Sequence, residues 1–75
     1  MKNSIELRVV NNIRKIIIGK GLKQYVVAKR AGFEPVQFSD LLNGRKVIKA
    51  EHIPPIADAL GVDANTLFSI GEKVS

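Results

Sequence analysis

Glycine and proline interrupt this chain at short intervals, and that spacing limits it to short elements of secondary structure. The residues concerned in the first 61 positions are Gly19, Gly21, Gly32, Pro35, Gly44, Pro54, Pro55 and Gly61. Apolar residues between them recur every three or four positions, which is the period of an amphipathic helix. The β-branched run at residues 16–18 also fits a strand, but no partner strand or hairpin turn follows it. The pattern therefore predicts an all-α chain of several short helices.

Five helices are expected. Asn3 or Ser4 caps the first helix, whose apolar stripe ends at Gly19 and Gly21. The other four are expected from Lys23 or Gln24 to Ala31, from Pro35 to Leu42, from as late as Ile53 to Leu60, and from Ala64 to about Ile70. We expect one domain spanning residues 1–75, with a core from about 4 to 70 and a frayed tail at 71–75.

The charge and composition narrow the class of protein. The net charge is +5, which favours a polyanionic partner such as nucleic acid, although many small domains carry such a charge only for solubility. The sequence has no cysteine and no long apolar run, so we expect no disulfide, no thiolate metal site and no membrane span. A cytoplasmic location is the resulting expectation.

The second and third predicted helices are separated by only three residues, Gly32 to Glu34, which forces them into a tight corner. Phe38, Leu41 and Leu42 are expected to form the buried face of the third helix. A basic loop, residues 45–49, follows it. Two short helices joined by a glycine-containing turn are typical of a DNA-binding helix-turn-helix.

From Ile13 to Phe68 the sequence resembles the Cro/phage-repressor helix-turn-helix family, also called the xenobiotic response element family. The residues that carry the resemblance are Gly21-Leu22-Lys23-Gln24, Val27-Ala28, Ala31-Gly32-Phe33, Phe38, Asn43-Gly44-Arg45-Lys46, the run 56–62 and Leu67-Phe68. The resemblance implies a compact five-helix, lambda-repressor-like fold. It also implies a bacterial or phage-encoded, nucleoid-associated transcriptional regulator that acts as a repressor without cofactor or small-molecule effector.

The resemblance assigns two sets of DNA contacts. The base-reading positions correspond to Pro35, Val36, Gln37 and Asp40. Gln37 would bond an adenine edge and Val36 a thymine methyl, whereas Asp40 would either accept from cytosine N4 or orient a neighbouring side chain. Phosphate contacts are expected from Lys23, Gln24, Arg45, Lys46 and Lys49.

The sequence departs from the family in two respects. An arginine–glutamate pair that often joins the first and third helices is replaced by Ile17 and Leu42, which predicts an apolar contact. The third helix carries no Lys or Arg, while Glu34 and Asp40 bring negative charge close to it. Arg14, on the first helix, is interpreted as plain surface.

Binding to a protein, as in an antitoxin-like or anti-repressor partner, is the alternative function. An enzyme is not expected, since His52 is the only histidine and no catalytic or metal-binding spacing accompanies it. Because one module covers half an operator, we expect a possible homodimer formed through the last helix around Ile70. Leu67 and Phe68 are expected to fold back into the monomer core.

Overall fold

The computed structural model describes residues 4–68, with side chains from residue 6 onward. These residues form five α-helices and no strand, which confirms the all-α prediction. The helices are α1 (Ser4–Lys20), α2 (Gln24–Ala31), α3 (Pro35–Asn43), α4 (Ile53–Leu60) and α5 (Ala64–Phe68). A short 3-10 turn, Ala50–His52, precedes α4. The predicted end of the last helix at Ile70 and the predicted tail at 71–75 lie outside the described residues.

Of the two glycines predicted to end the first helix, only Gly21 does so. Gly19 lies within α1 and does not end it. The helix ends at the next residue, Lys20, and is closed at Gly21, whose N–H donates to Ile18 O at 3.1 Å, while the Leu22 N–H donates to Ile17 O at 2.9 Å. A glycine inside a helix costs only about 1 kcal/mol relative to alanine, so Gly19 alone does not stop the hydrogen-bonded ladder.

The fourth helix begins at Ile53, the latest start that the sequence allows. Pro54 and Pro55 fall in its first turn, where the missing N–H of proline removes no hydrogen bond of the helix. The chain approaches α4 through the 3-10 turn.

One apolar core joins all five helices. Its buried members are Val9, Ile13, Ile17, Val27, Ala28, Phe38, Leu41, Leu42, Ile53, Ile56, Ala57, Leu60 and Leu67. On α1, α3 and α4 these buried residues recur three or four positions apart, as the sequence pattern predicts. The Asn12 amide, also buried, donates to Leu67 O at 2.9 Å and so ties α1 to α5.

The prediction for Phe68 is wrong. Leu67 is fully buried, but 44% of Phe68 is exposed. The two residues are adjacent on α5, about 100° apart around the helix axis, so the core side of α5 accommodates only one of them.

Among the described residues no helix combines the length and hydropathy needed to cross a membrane. The same residues contain no group of three histidine, aspartate or glutamate side chains placed to hold a metal ion.

Candidate nucleic-acid interface

The corner between α2 and α3 is built as the sequence predicts. Gly32 ends α2 in the left-handed conformation, with φ of 88°, which a residue without Cβ adopts at little cost. The next N–H, that of Phe33, donates back to Ala28 O at 2.8 Å and completes a Schellman-type end. Helix α3 then begins at Pro35, so three residues make the whole turn.

Aromatic contacts hold the turn against the rest of the molecule. The Phe33 ring stacks on the buried Phe38 of α3, with 6.0 Å between ring centroids. Phe33 also forms a T-shaped contact with the His52 ring, with 5.7 Å between ring centroids. Phe33 therefore connects the turn to α3 and to the 3-10 turn before α4, which restricts the angle at which α3 leaves the corner.

Helix α3 has one buried side and one exposed side. Phe38, Leu41 and Leu42 are buried, as predicted. Val36 is 69% exposed, and Pro35 at the beginning of the helix is exposed as well. The expected base-reading position Val36 therefore lies on the surface, away from the core.

Gln37 is half-buried and has a structural contact that the sequence analysis did not predict. Its Oε1 accepts a hydrogen bond from the Glu34 backbone N–H at 3.3 Å. Glu34 is the N-cap of α3, and Gln37 is the third residue of the helix, so the contact belongs to a capping box. The amide thus satisfies a backbone donor that the helix itself leaves unpaired.

Asp40 lies where α3 meets the basic loop. Its carbonyl accepts hydrogen bonds from the N–H groups of Arg45 and Lys46, at 2.9 and 3.2 Å. Its carboxylate lies 4.0 Å from the Arg45 guanidinium, and 77% of the Arg45 side chain is exposed. Of the two roles that the sequence leaves open for Asp40, this geometry favours the orientation of a neighbouring side chain.

A hollow of about 370 Å³ separates α3 from the loop that follows it. Its walls are formed by Gln37, Leu41, Lys46, Val47, Lys49 and His52. The structure therefore brings one expected base-reading residue, Gln37, together with two expected phosphate-contacting lysines. We refer to this feature as the α3–loop hollow.

His52 shapes the basic loop, a role that its sequence position did not indicate. Its Nδ1 accepts a hydrogen bond from the Lys49 backbone N–H at 2.9 Å. This bond caps the 3-10 turn at Lys49, and the backbone bond from the His52 N–H to Lys49 O, at 2.9 Å, closes the turn.

Lys23 and Gln24 stand at the beginning of α2. Both are exposed. Lys23 is the N-cap residue, and its carbonyl accepts from the N–H groups of Val26 and Val27, both at 3.1 Å. Neither residue lines the α3–loop hollow. They form a second group of expected phosphate contacts, at the beginning of α2.

Arg14 is not plain surface, contrary to the sequence interpretation. Its Nη2 donates to Leu42 O at 3.0 Å and to Asn43 Oδ1 at 3.1 Å. The guanidinium thus caps the carboxyl end of α3, where its positive charge also complements the helix dipole. Ile17 and Leu42, which occupy the positions of the family's ion pair, are both buried in the core. The sequence feature that could have indicated this contact is the position of Arg14, one turn before Ile17 on α1.

A family model described as a helix-turn-helix domain matches residues 7–67. This match covers most of the chain and confirms the family that the sequence resembles. No curated protein and no solved structure matches the chain.

Proposed function

Because the chain belongs to a helix-turn-helix domain family, we propose that it binds double-stranded DNA and acts as a sequence-specific transcriptional regulator, with α3 in the major groove. The observation that carries this proposal is the α3–loop hollow, where Gln37 of α3 faces the same space as Lys46 and Lys49. A side chain able to bond a base edge and cations able to bond phosphate are thus presented together.

Affinity in this proposal comes from the cations around α3. Arg45, Lys46 and Lys49 are exposed beside α3, so each can replace a counterion on a phosphate. Lys23 and Gln24 contribute a further contact with DNA phosphates at the beginning of α2, where the free N–H groups of the helix also favour an anion. The cations lie outside α3, which leaves the exposed side of that helix for the bases.

Specificity comes from the exposed side of α3. Val36 offers methyl groups to a thymine methyl, and Gln37 offers its amide to a base edge. Pro35, which is exposed at the beginning of α3 next to Val36, would add an apolar contact with a base. For Asp40 we propose that its carboxylate directs Arg45, because these two groups lie 4.0 Å apart.

We further propose repression of the Cro/phage-repressor kind, in which occupancy of the operator excludes polymerase. Two copies would bind two half-sites about one DNA turn apart. The predicted contact around Ile70 lies outside the described residues. The exposure of Phe68, two residues earlier, supports an apolar contact surface at this end of the molecule.

One observation favours the alternative of a protein partner. Glu34 is exposed at the beginning of α3, and Val36 and Val47 are 69% and 56% exposed. An acidic and apolar surface suits a protein better than phosphate. The two functions differ in whether the chain binds duplex DNA at physiological ionic strength.

Equilibrium binding to duplex DNA at several salt concentrations tests the proposal. Lys46→Ala should weaken binding to all sequences and reduce the slope of log K against log salt by about one unit. Lys15→Ala removes the same charge from the exposed surface of α1 and serves as the matched control, with an unchanged slope. Equal slopes for the parent and Lys46→Ala would remove the phosphate role of the loop, and a parent that binds no duplex would favour the protein partner.

A further inference from the structure

The hydrogen bond of Gln37 defines which end of its amide is engaged by the protein. The Glu34 backbone N–H is a donor, so the atom 3.3 Å from it must be the amide oxygen, since the NH₂ group cannot accept. The oxygen is directed back at the first turn of its own helix. The NH₂ group, on the other side of the amide carbon, is therefore the end that is free for a ligand.

This orientation matters because the purines differ in what they present in the major groove. Adenine presents one acceptor, N7, and one donor, N6, so a bidentate contact needs the oxygen and the nitrogen of the amide side by side. Guanine presents two acceptors, N7 and O6, which suit the two hydrogens of one NH₂ group. The adenine contact expected from the sequence requires the oxygen, which keeps a second lone pair but is turned towards the first turn of α3 by the capping bond.

We propose that Gln37 reads guanine as a hydrogen-bond donor, while its oxygen caps α3. This inference rests on the proposed function and specifies the base at one position of the site. The capping bond also restricts the rotation of the side chain, so the donor is held in place before the DNA arrives. Gln37 is thus a specificity-determining residue whose orientation is set by Glu34.

Gln37→Glu is the sharpest variant for testing this inference. It keeps the side-chain length and an oxygen for the Glu34 N–H, but it removes both donors. In selection from random duplexes the parent should prefer guanine at one position by about tenfold or more, and Gln37→Glu should lose that preference and favour cytosine, whose N4 is a donor. Asn11→Asp makes the same amide-to-carboxylate change on the exposed surface of α1 and should leave the preference intact.

Thermal unfolding tests the capping half of the inference without DNA. Gln37→Glu should unfold at or above the temperature of the parent, because a carboxylate in the first turn also complements the helix dipole. Gln37→Met, which lacks the oxygen, should unfold at a lower temperature. If Gln37→Met is as stable as the parent, the oxygen is not held by the cap and the inference falls.

The outcomes separate this inference from the proposed function. Duplexes enriched with adenine at the Gln37 position, or a guanine preference that persists in Gln37→Glu, would overturn the inference while leaving DNA binding intact. A parent that enriches no duplex at any position would overturn both. Guanine for the parent, cytosine for Gln37→Glu and lower stability for Gln37→Met together support it.

Discussion

At the scale of single residues, several side chains near α3 serve the fold and the proposed interface together. Gln37 caps the helix and faces the α3–loop hollow, and His52 closes the turn that places Lys49. Asp40 joins the end of α3 to the loop through its carbonyl and lies beside Arg45 through its carboxylate. Substituting such a residue therefore changes both the stability of the fold and the proposed interface. A variant that keeps one of the residue's chemical groups and removes another separates the two effects.

Asp40→Asn keeps the backbone and removes the charge. If the carboxylate directs Arg45 towards phosphate, as proposed, this variant should bind all duplexes about two- to fivefold more weakly, which corresponds to about 0.5–1 kcal/mol for a solvent-accessible ion pair. Asp58→Asn, which neutralises an exposed carboxylate on α4, is the control for the change in net charge. A loss of preference at a single base position, in place of a general weakening, would make Asp40 a base reader, and tighter binding to all duplexes would show that the carboxylate competes with phosphate for Arg45. Titration of duplexes by fluorescence anisotropy distinguishes these results.

Two glycines with equal space around them are expected to respond in opposite ways to substitution. A Cβ added at Gly19 or at Gly32 meets no atom within 4 Å. Gly19 lies within α1, so Gly19→Ala should stabilise the protein by about 0.5–1 kcal/mol. Gly32 has φ of 88°, so Gly32→Ala should destabilise it by about 1–2 kcal/mol. Urea denaturation measures both, and the same sign of change for the two variants would contradict the conformational explanation.

At the scale of the elements, α3 is held at its two ends by different means. Its beginning is anchored by the turn, through the stacking of Phe33 on Phe38. Its end is anchored from α1, through Arg14 and the carbonyl of Leu42. Ile17 and Leu42, for which the sequence predicts an apolar contact between these helices, are both buried, and Arg14 supplies a polar tie from one turn earlier on α1.

Arg14→Met tests the tie between α1 and α3. The variant keeps much of the side-chain length but loses the hydrogen bonds to Leu42 O and Asn43 Oδ1, so we expect a loss of about 1–2 kcal/mol in the free energy of unfolding. Lys15→Met, on the same helix and exposed, should change it by less than about 0.5 kcal/mol. Chemical denaturation gives both values. Equal stabilities for the two variants would mean that Arg14 contributes nothing to the position of α3.

At the scale of the whole molecule, one core holds the five helices, and the exposed side of α3 faces away from it. If the module binds DNA as proposed, it reads only a few base pairs, so we expect useful specificity to come from a second copy on the same DNA. Phe68, at the end of α5, is the described residue that supports a contact between copies.

Phe68→Ser tests this arrangement. If α5 pairs two copies, the variant should shift sedimentation from dimer to monomer and bind a two-half-site operator more weakly. Its affinity for a single half-site should change little, because α5 lies outside the proposed DNA contacts. A parent that sediments as a monomer both with and without operator DNA would contradict the pairing.

Helix type and approximate bounds followed from the sequence because they depend on local features. Gly32 stops α2 wherever the rest of the chain lies, and the three-residue turn to Pro35 makes the corner regardless of the core. The buried sides of α3 and α4 followed as well, since the spacing of apolar residues encodes them. The basic loop and the exposed position of Val36 were also predictable from the local sequence.

Contacts between residues distant in sequence were decided only by the tertiary structure. Arg14 reaches Leu42 across 28 positions, and Asn12 reaches Leu67 across 55. Phe68 looked as apolar as Leu67, yet the core had room for one of the two. The spacing of apolar residues indicates which side of a helix is apolar. Which of those residues are buried, and which polar atoms form hydrogen bonds, depends on the neighbours that the tertiary structure brings to that side.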